Sequence, residues 1–229
     1  MYNEEKGIQH LFFDLDHTLW DFDRNSKLTF EQIFKEKKII IAIDEFLEAY
    51  VPVNLKYWRL YREDRIEKSE LRYRRLKETF DCLNYTISDG LISEISEDYI
   101  CYLPNYNYLF EGAIEVLQYL EKKYHLHIIT NGFKEIQNLK LKKSGIHQFF
   151  KQIITSECVG VKKPNPKVFE FALHKAGAEA QQSVMIGDSY EADVLGAINA
   201  GMWAIHFSKE KKAKEIQQVA TLTELKKCL

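Results

Sequence analysis

The stretch FFDLDHTLWDF, residues 12–22, sets two carboxylates, Asp14 and Asp16, at the end of an apolar run. A single acid there would serve as a turn or helix-cap residue. Two acids one residue apart, followed by Thr18, ask for a joint role. Other polar groups fall at comparable places along the chain. LHIIT runs into Thr130, Asn131 and Gly132, and SVMIG runs into Asp188, with Asp193 five residues further on. The segment after QIITS supplies Lys163 just before Pro164. Several acids and one obligatory cation describe a site for a hard divalent metal and an anion, since Mg²⁺ prefers oxygen ligands, takes few carboxylates and keeps some of its waters. Asp14, Asp16 and Asp188 could supply that shell, and Lys163 would balance charge around a phosphoryl group. No G-x-x-x-x-G-K-[ST] stretch and no GxGxxG stretch is present, which excludes the common nucleotide and dinucleotide loops.

These groups converge only if the chain builds an open parallel sheet, in which ligands bind beyond the carboxyl ends of the strands. The apolar patterning predicts such a sheet. A strand over 10–15 comes first. From about residue 110, helical spacing over 111–124 leads to the run 126–130, and a helix over 134–144 leads to 152–155. Another over 165–176 leads to 183–186, and a fourth over 190–200 leads to 203–207. Strands alternating with amphipathic helices read as a Rossmann-like α/β fold. Residues 22–108 differ, because their apolar positions recur every three or four residues, which is helical. Pro52 is expected to break or kink the second of about four helices there. The expected organisation is an α/β core of residues 1–21 plus 109–229, with an α-helical cap of residues 22–108 inserted after the first strand.

Composition bounds the function. The 229 residues carry 32 Lys plus Arg against 34 Asp plus Glu, which gives no nucleic-acid or membrane footprint. No apolar run approaches the roughly 20 residues of a membrane span. The four cysteines are irregularly spaced without a CxxC pair, so a zinc site or disulfide framework is not expected and a reducing cytoplasm fits.

At the strand-end residues the sequence resembles the haloacid dehalogenase-like superfamily along nearly the whole chain. Its DxDxT motif matches DLDHT, its strand-ending Ser or Thr matches Thr130, its Lys before Pro matches Lys163, and its GDSxxxD matches GDSYEAD. The helical insertion is similar to that superfamily's first cap type. The resemblance implies that Asp14 is a nucleophile forming an aspartyl-phosphate and that Asp16 is the acid and then the base. It implies that Thr130, with Asn131, holds the phosphoryl oxygens, and that Lys163 neutralises charge. Mg²⁺ would sit on Asp14, Asp188 and the main-chain carbonyl of Asp16, with Asp193 behind them. His17, where an Asp is usual, would point away from the phosphate.

Narrower features resemble pyrimidine-type 5'-nucleotidases: Trp20 and Asp21 after the first motif, Asn54 and Trp58, Arg75, and TNGF followed by Gln137. The implied partner is a small phosphorylated metabolite, a nucleoside monophosphate, and neither a nucleic acid polymer nor a membrane. The cap would be a lid over the site, with Trp20, Phe22, Trp58 and Tyr61 as stacking candidates and Arg75 as a polar contact. On spacing alone, Arg72, Arg74 and Arg75 read as a solvated face, and His125 and His127 as structural. The alternatives are a phosphoglycolate or sugar-phosphate phosphatase, a phosphomutase, a dehalogenase (disfavoured by Asp16) or a non-catalytic ligand-binding regulator. Oligomeric state stays open.

Overall fold

In a computed structural model that describes residues 7–210 and 216–229, the chain divides into two units, Met1–Phe22 with Asn107–Leu229, and Asp23–Tyr106.

The helical unit holds four helices: α1 (Phe22–Lys37), α2 (Ile43–Arg62), α3 (Lys68–Cys82) and α4 (Asp89–Tyr102). Its centre is aromatic. Phe30 of α1 packs at 4.8 Å from Phe46 and 4.8 Å from Tyr50, both on α2, and at 4.7 Å from Tyr99 on α4. Edge-on and offset contacts of this kind suit the ring quadrupoles and add to simple area burial. Local signals start the last two helices. The Glu67 N–H donates to the Glu70 side chain, and the Ser88 hydroxyl accepts from Leu91 N–H at 3.2 Å. Of the two expected outcomes, a break or a kink, the break does not occur, and α2 runs through Pro52. The proline lies on the exposed side of the helix, while Tyr50, Val53 and Asn54 are buried and hold the two halves in one register.

In the α/β unit the strands are β1 (His10–Phe13), β2 (His125–Thr130), β3 (Phe150–Thr155), β4 (Ser183–Gly187), β5 (Trp203–Phe207) and β6 (Gln217–Val219). All pair in parallel in the order β3-β2-β1-β4-β5-β6. The last of these was not anticipated: three residues with two glutamines carry too short and polar a pattern to signal a strand. β1 is also shorter than its apolar run, ending before Asp14. Its backbone is nonetheless tied onward, because Asp14 N–H donates to Ile186 O at 2.9 Å. The chain goes from β1 outward to β2 and β3, then returns to β4 on the other side of β1. That reversal creates a crevice at the carboxyl ends of β1 and β4, where open α/β sheets bind ligands.

Helices α5 (Ala113–Leu120), α6 (Lys134–Lys143), α7 (Ser156–Val159), α8 (Pro166–Ala176), α9 (Gly196–Asn199) and α10 (Leu225–Cys228) complete this unit. One core cluster joins Phe12, Ile129, Ile154 and Met185 of the sheet to Val168 and Phe169 of α8. Residues Tyr190–Leu195 form a π-helical turn that runs straight into α9. Such turns replace the regular hydrogen-bond ladder and occur often at functional sites.

Candidate active site

Strand β1 carries Asp14 to the crevice, and the turn that follows fixes Asp16. Leu15, fully buried, accepts at its carbonyl from Leu19 N–H at 3.0 Å and Trp20 N–H at 2.9 Å. His17 takes φ 62°, a left-handed value that few non-glycine residues adopt, and this closes the turn. Its ring lies 4.9 Å from that of Phe22.

The two acids have different partners. Asp14 Oδ1 accepts from Lys163 Nζ at 2.7 Å. Asp16 looks toward α6 instead: its Oδ2 accepts from Gln137 Nε2 at 2.8 Å and its Oδ1 from Lys140 Nζ at 2.6 Å. Gln137 also donates to Thr130 Oγ1 at 2.7 Å, linking the end of β2 to Asp16. Gly132 makes room for this link, because a Cβ there would lie 1.9 Å from Gln137 Nε2.

Lys163 is 1% exposed and uses its ammonium on three acceptors: Asp14 at 2.7 Å, Asp193 Oδ1 at 2.5 Å and Ile129 O at 2.7 Å. Burial works against its charge, but the carboxylates of Asp14 and Asp193 outweigh burial and hold the ammonium above the ordinary lysine range. Asn131 fixes the lysine's backbone, accepting from its N–H at 2.8 Å and donating to its carbonyl at 3.0 Å. Asp193 projects from the π turn, and its second oxygen accepts from Ser189 N–H at 3.0 Å. Gly187 permits this, since a Cβ there would lie 2.3 Å from Asp193 Oδ2. At the end of β4, Asp188 meets Thr18. The Thr18 hydroxyl accepts from Asp188 N–H at 3.1 Å and donates to Asp188 Oδ1 at 3.2 Å.

Three carboxylates, Asp14, Asp188 and Asp193, offer oxygens within 4.8 Å of one another, against one ammonium. The crowding shows in the acidity of Asp14 and Asp188. Burial first, opposed by Lys163 and reinforced by Asp193 and Asp188, raises the Asp14 carboxyl well above the usual carboxylate range. Burial and then Asp193 push Asp188 up to about 7. A bound divalent cation would relieve that repulsion, and an all-oxygen donor set suits Mg²⁺. Both oxygens of Asp193 are already committed, to Lys163 and Ser189. Asp14 and Asp188 are therefore the carboxylates left for an ion. The carboxylate of Asp16 is turned to α6, which leaves its main-chain carbonyl as the group the sequence reading assigned.

The proposed leaving-group contacts fare differently. Trp20 is fully buried, and the Lys140 ammonium lies 4.1 Å over its ring, so in this structure its face is not open for a base to stack on. Arg75 is neither on a solvated face nor at the surface. It is 2% exposed inside the helical unit, donates to Asn54 Oδ1 at 3.0 Å and lies 5.0 Å from the Tyr99 ring centroid. Arg74 does lie on an exposed face, paired with Glu70. Trp58 is partly exposed and packs edge-on to Tyr61 at 5.8 Å. Sequence reasoning did not find Lys140 or the bridging role of Thr18. The signal for Lys140 was its position three residues after Gln137, one turn along the same helix face.

The family model described as haloacid dehalogenase-like hydrolase matches residues 11–207. The chain is 32% identical over 229 residues to pyrimidine 5'-nucleotidase YjjG of Escherichia coli strain K12, covering 96% of each chain. It is also 32% identical over 223 residues to a glyceraldehyde 3-phosphate phosphatase of Methanothermobacter thermautotrophicus, covering 93% of this chain and 91% of that one. A magnesium-bound structure of the HAD-hydrolase YfnB from Bacillus subtilis superposes with a TM-score of 0.88 at 27% identity, over 97% of this chain and 98% of that one. Among the described residues no helix is long and apolar enough to cross a membrane.

Proposed function

The chain belongs to the haloacid dehalogenase-like hydrolase family, and on that premise we propose that it is a Mg²⁺-dependent phosphomonoesterase acting through an aspartyl-phosphate, with nucleoside 5'-monophosphates as its substrates. The observation that carries this reading is the division of labour between the acids at the end of β1. Asp14 Oδ1 is held by Lys163, which leaves Oδ2 to attack phosphorus. As that bond forms, the bond from phosphorus to the ester oxygen breaks, and Asp16 gives its proton to the departing alcohol. Asp16 then takes a proton from the water that attacks the acyl-phosphate, which returns Asp14 and releases phosphate. The Thr130 hydroxyl and Asn131 region receive phosphoryl oxygens, while Lys163 balances charge on Asp14 and the phosphoryl group. Asp14 and Asp188 would hold Mg²⁺, which supplies charge neutralisation and orientation of the phosphoryl oxygens when bound. A halide leaves without a proton, so the presence of Asp16 favours phosphate esters over dehalogenation. Trp58 is the first candidate for choice of the leaving group.

The relatives support two substrate classes, nucleotides and a triose phosphate. The test is phosphate release with Mg²⁺ over nucleoside monophosphates, phosphoglycolate and sugar phosphates. Preference for a pyrimidine monophosphate supports the reading. Preference for a small sugar phosphate replaces the substrate and leaves the chemistry standing. Turnover that survives both EDTA and Asp14→Asn overturns the mechanism.

A further inference from the structure

Lys140 has no place among the family motifs quoted above, yet it is 2% exposed and its ammonium lies 2.6 Å from Asp16 Oδ1. Two aromatic rings lie beside the ammonium, that of Trp20 at 4.1 Å and that of Phe22 at 5.3 Å. Burying a lysine costs free energy unless its charge is met, and the Asp16 carboxylate and two ring faces help to meet it here. Gln137 and Lys140 lie three apart on α6, so one helix face presents two donors to the two oxygens of a single acid.

We infer that Lys140 is a positioning residue for Asp16, and that it specialises the site for phosphate esters of alkyl alcohols. This rests on the functional reading above. The geometry supplies the reason. Asp16 begins the first step as an acid and ends it as a carboxylate, so negative charge develops on its oxygens as the ester bond breaks. A cation already fixed beside Oδ1 stabilises that charge without reorganising, and a paired hydrogen bond from Gln137 holds the plane of the carboxyl group. The benefit is large for an alkoxide, which cannot leave unprotonated, and small for a leaving group that departs as a stable anion.

The experiment compares wild type with Lys140→Met and Asp16→Asn on p-nitrophenyl phosphate and on the best alkyl phosphate of the substrate panel. Both activities fall in Lys140→Met, and kcat/KM on the alkyl ester, which reports ester cleavage and not the shared hydrolysis of the acyl-phosphate, is expected to fall at least about tenfold further than kcat/KM on the aryl ester. Lys140→Arg is expected to recover part of the alkyl loss. In the Asp16→Asn background, Lys140→Met should cost little more, because nothing is left to position. Equal losses on the two substrates, or full additivity with Asp16→Asn, overturn the inference while leaving the phosphatase reading intact. Wild-type protein that hydrolyses neither ester overturns both. Should the methionine variant fail to fold, Lys140→Gln carries the same comparison of substrates.

Discussion

The hydroxyl of Thr18 stands between the backbone and the side chain of Asp188, accepting from the N–H at 3.1 Å and donating to Oδ1 at 3.2 Å. Thr18 is fully buried and Asp188 half-buried, so water reaches both bonds only in part. They fix which way the Asp188 carboxylate faces. Thr18→Val keeps the shape and removes both bonds, leaving a buried N–H without its partner at a cost of about 1–3 kcal/mol. The Mg²⁺ concentration giving half-maximal activity should rise by about 10- to 100-fold, the usual effect of losing a group that orients a metal ligand. Thr18→Ser, which keeps the hydroxyl, should stay close to wild type. A magnesium titration of phosphate release checks this, and an unchanged midpoint in Thr18→Val refutes it.

Much of this site was legible before the fold was known, because its groups sit at strand ends and strand ends carry their own signals. Asp14, Thr130 and Asp188 each follow a run of apolar residues, and Lys163 precedes a proline. Periodicity located the helical unit for the same reason: its buried faces recur at the helical interval. What stayed hidden depends on depth and direction. Nothing in the spacing of Arg75 distinguishes it from Arg74 one position earlier, yet one is buried beside Asn54 and the other pairs with Glu70 at the surface. Trp20 was a stacking candidate because an indole ring can stack a base, but it is fully buried and the Lys140 ammonium lies over its ring. Pro52 does not break α2, because packing of the buried residues on either side overrides the local cost.

A buried imidazole cluster at the other end of β1 and β2 makes stability depend on pH. His10 Nδ1 lies 3.1 Å from His127 Nε2, and the His127 ring stacks on Phe12 at 4.6 Å. Burial first, then His10 and His125, lower His127 to about 3. A group with a depressed folded-state value contributes stability in full above its unfolded value of about 6.5, and loses it as pH falls toward the folded one. Between pH 7 and pH 5, His127 should therefore remove about 2 kcal/mol of stability. Urea denaturation at both pH values measures this, and His127→Phe should flatten the difference. A variant with the same pH dependence as wild type would show that the imidazole is not its source.

Lys163 is the only cation within hydrogen-bonding reach of both Asp14 and Asp193 among the described residues, and all three side chains are buried. Replacing it with methionine keeps the volume and strands two carboxylates that burial already disfavours. Removing one partner of a buried ionic cluster costs about 3–5 kcal/mol. For a chain of this size that corresponds to a fall in Tm on the order of 10 °C. The effect should be largest in EDTA, where no other cation compensates. Adding Asp193→Asn to Lys163→Met removes one of the stranded charges, so the double variant should melt above Lys163→Met, although Asp193→Asn alone melts below wild type. That reversal of sign is what charge balance demands and what loss of packing alone does not produce. Simple addition of the two single losses would mean that Lys163 serves the fold by its bulk and not by its charge.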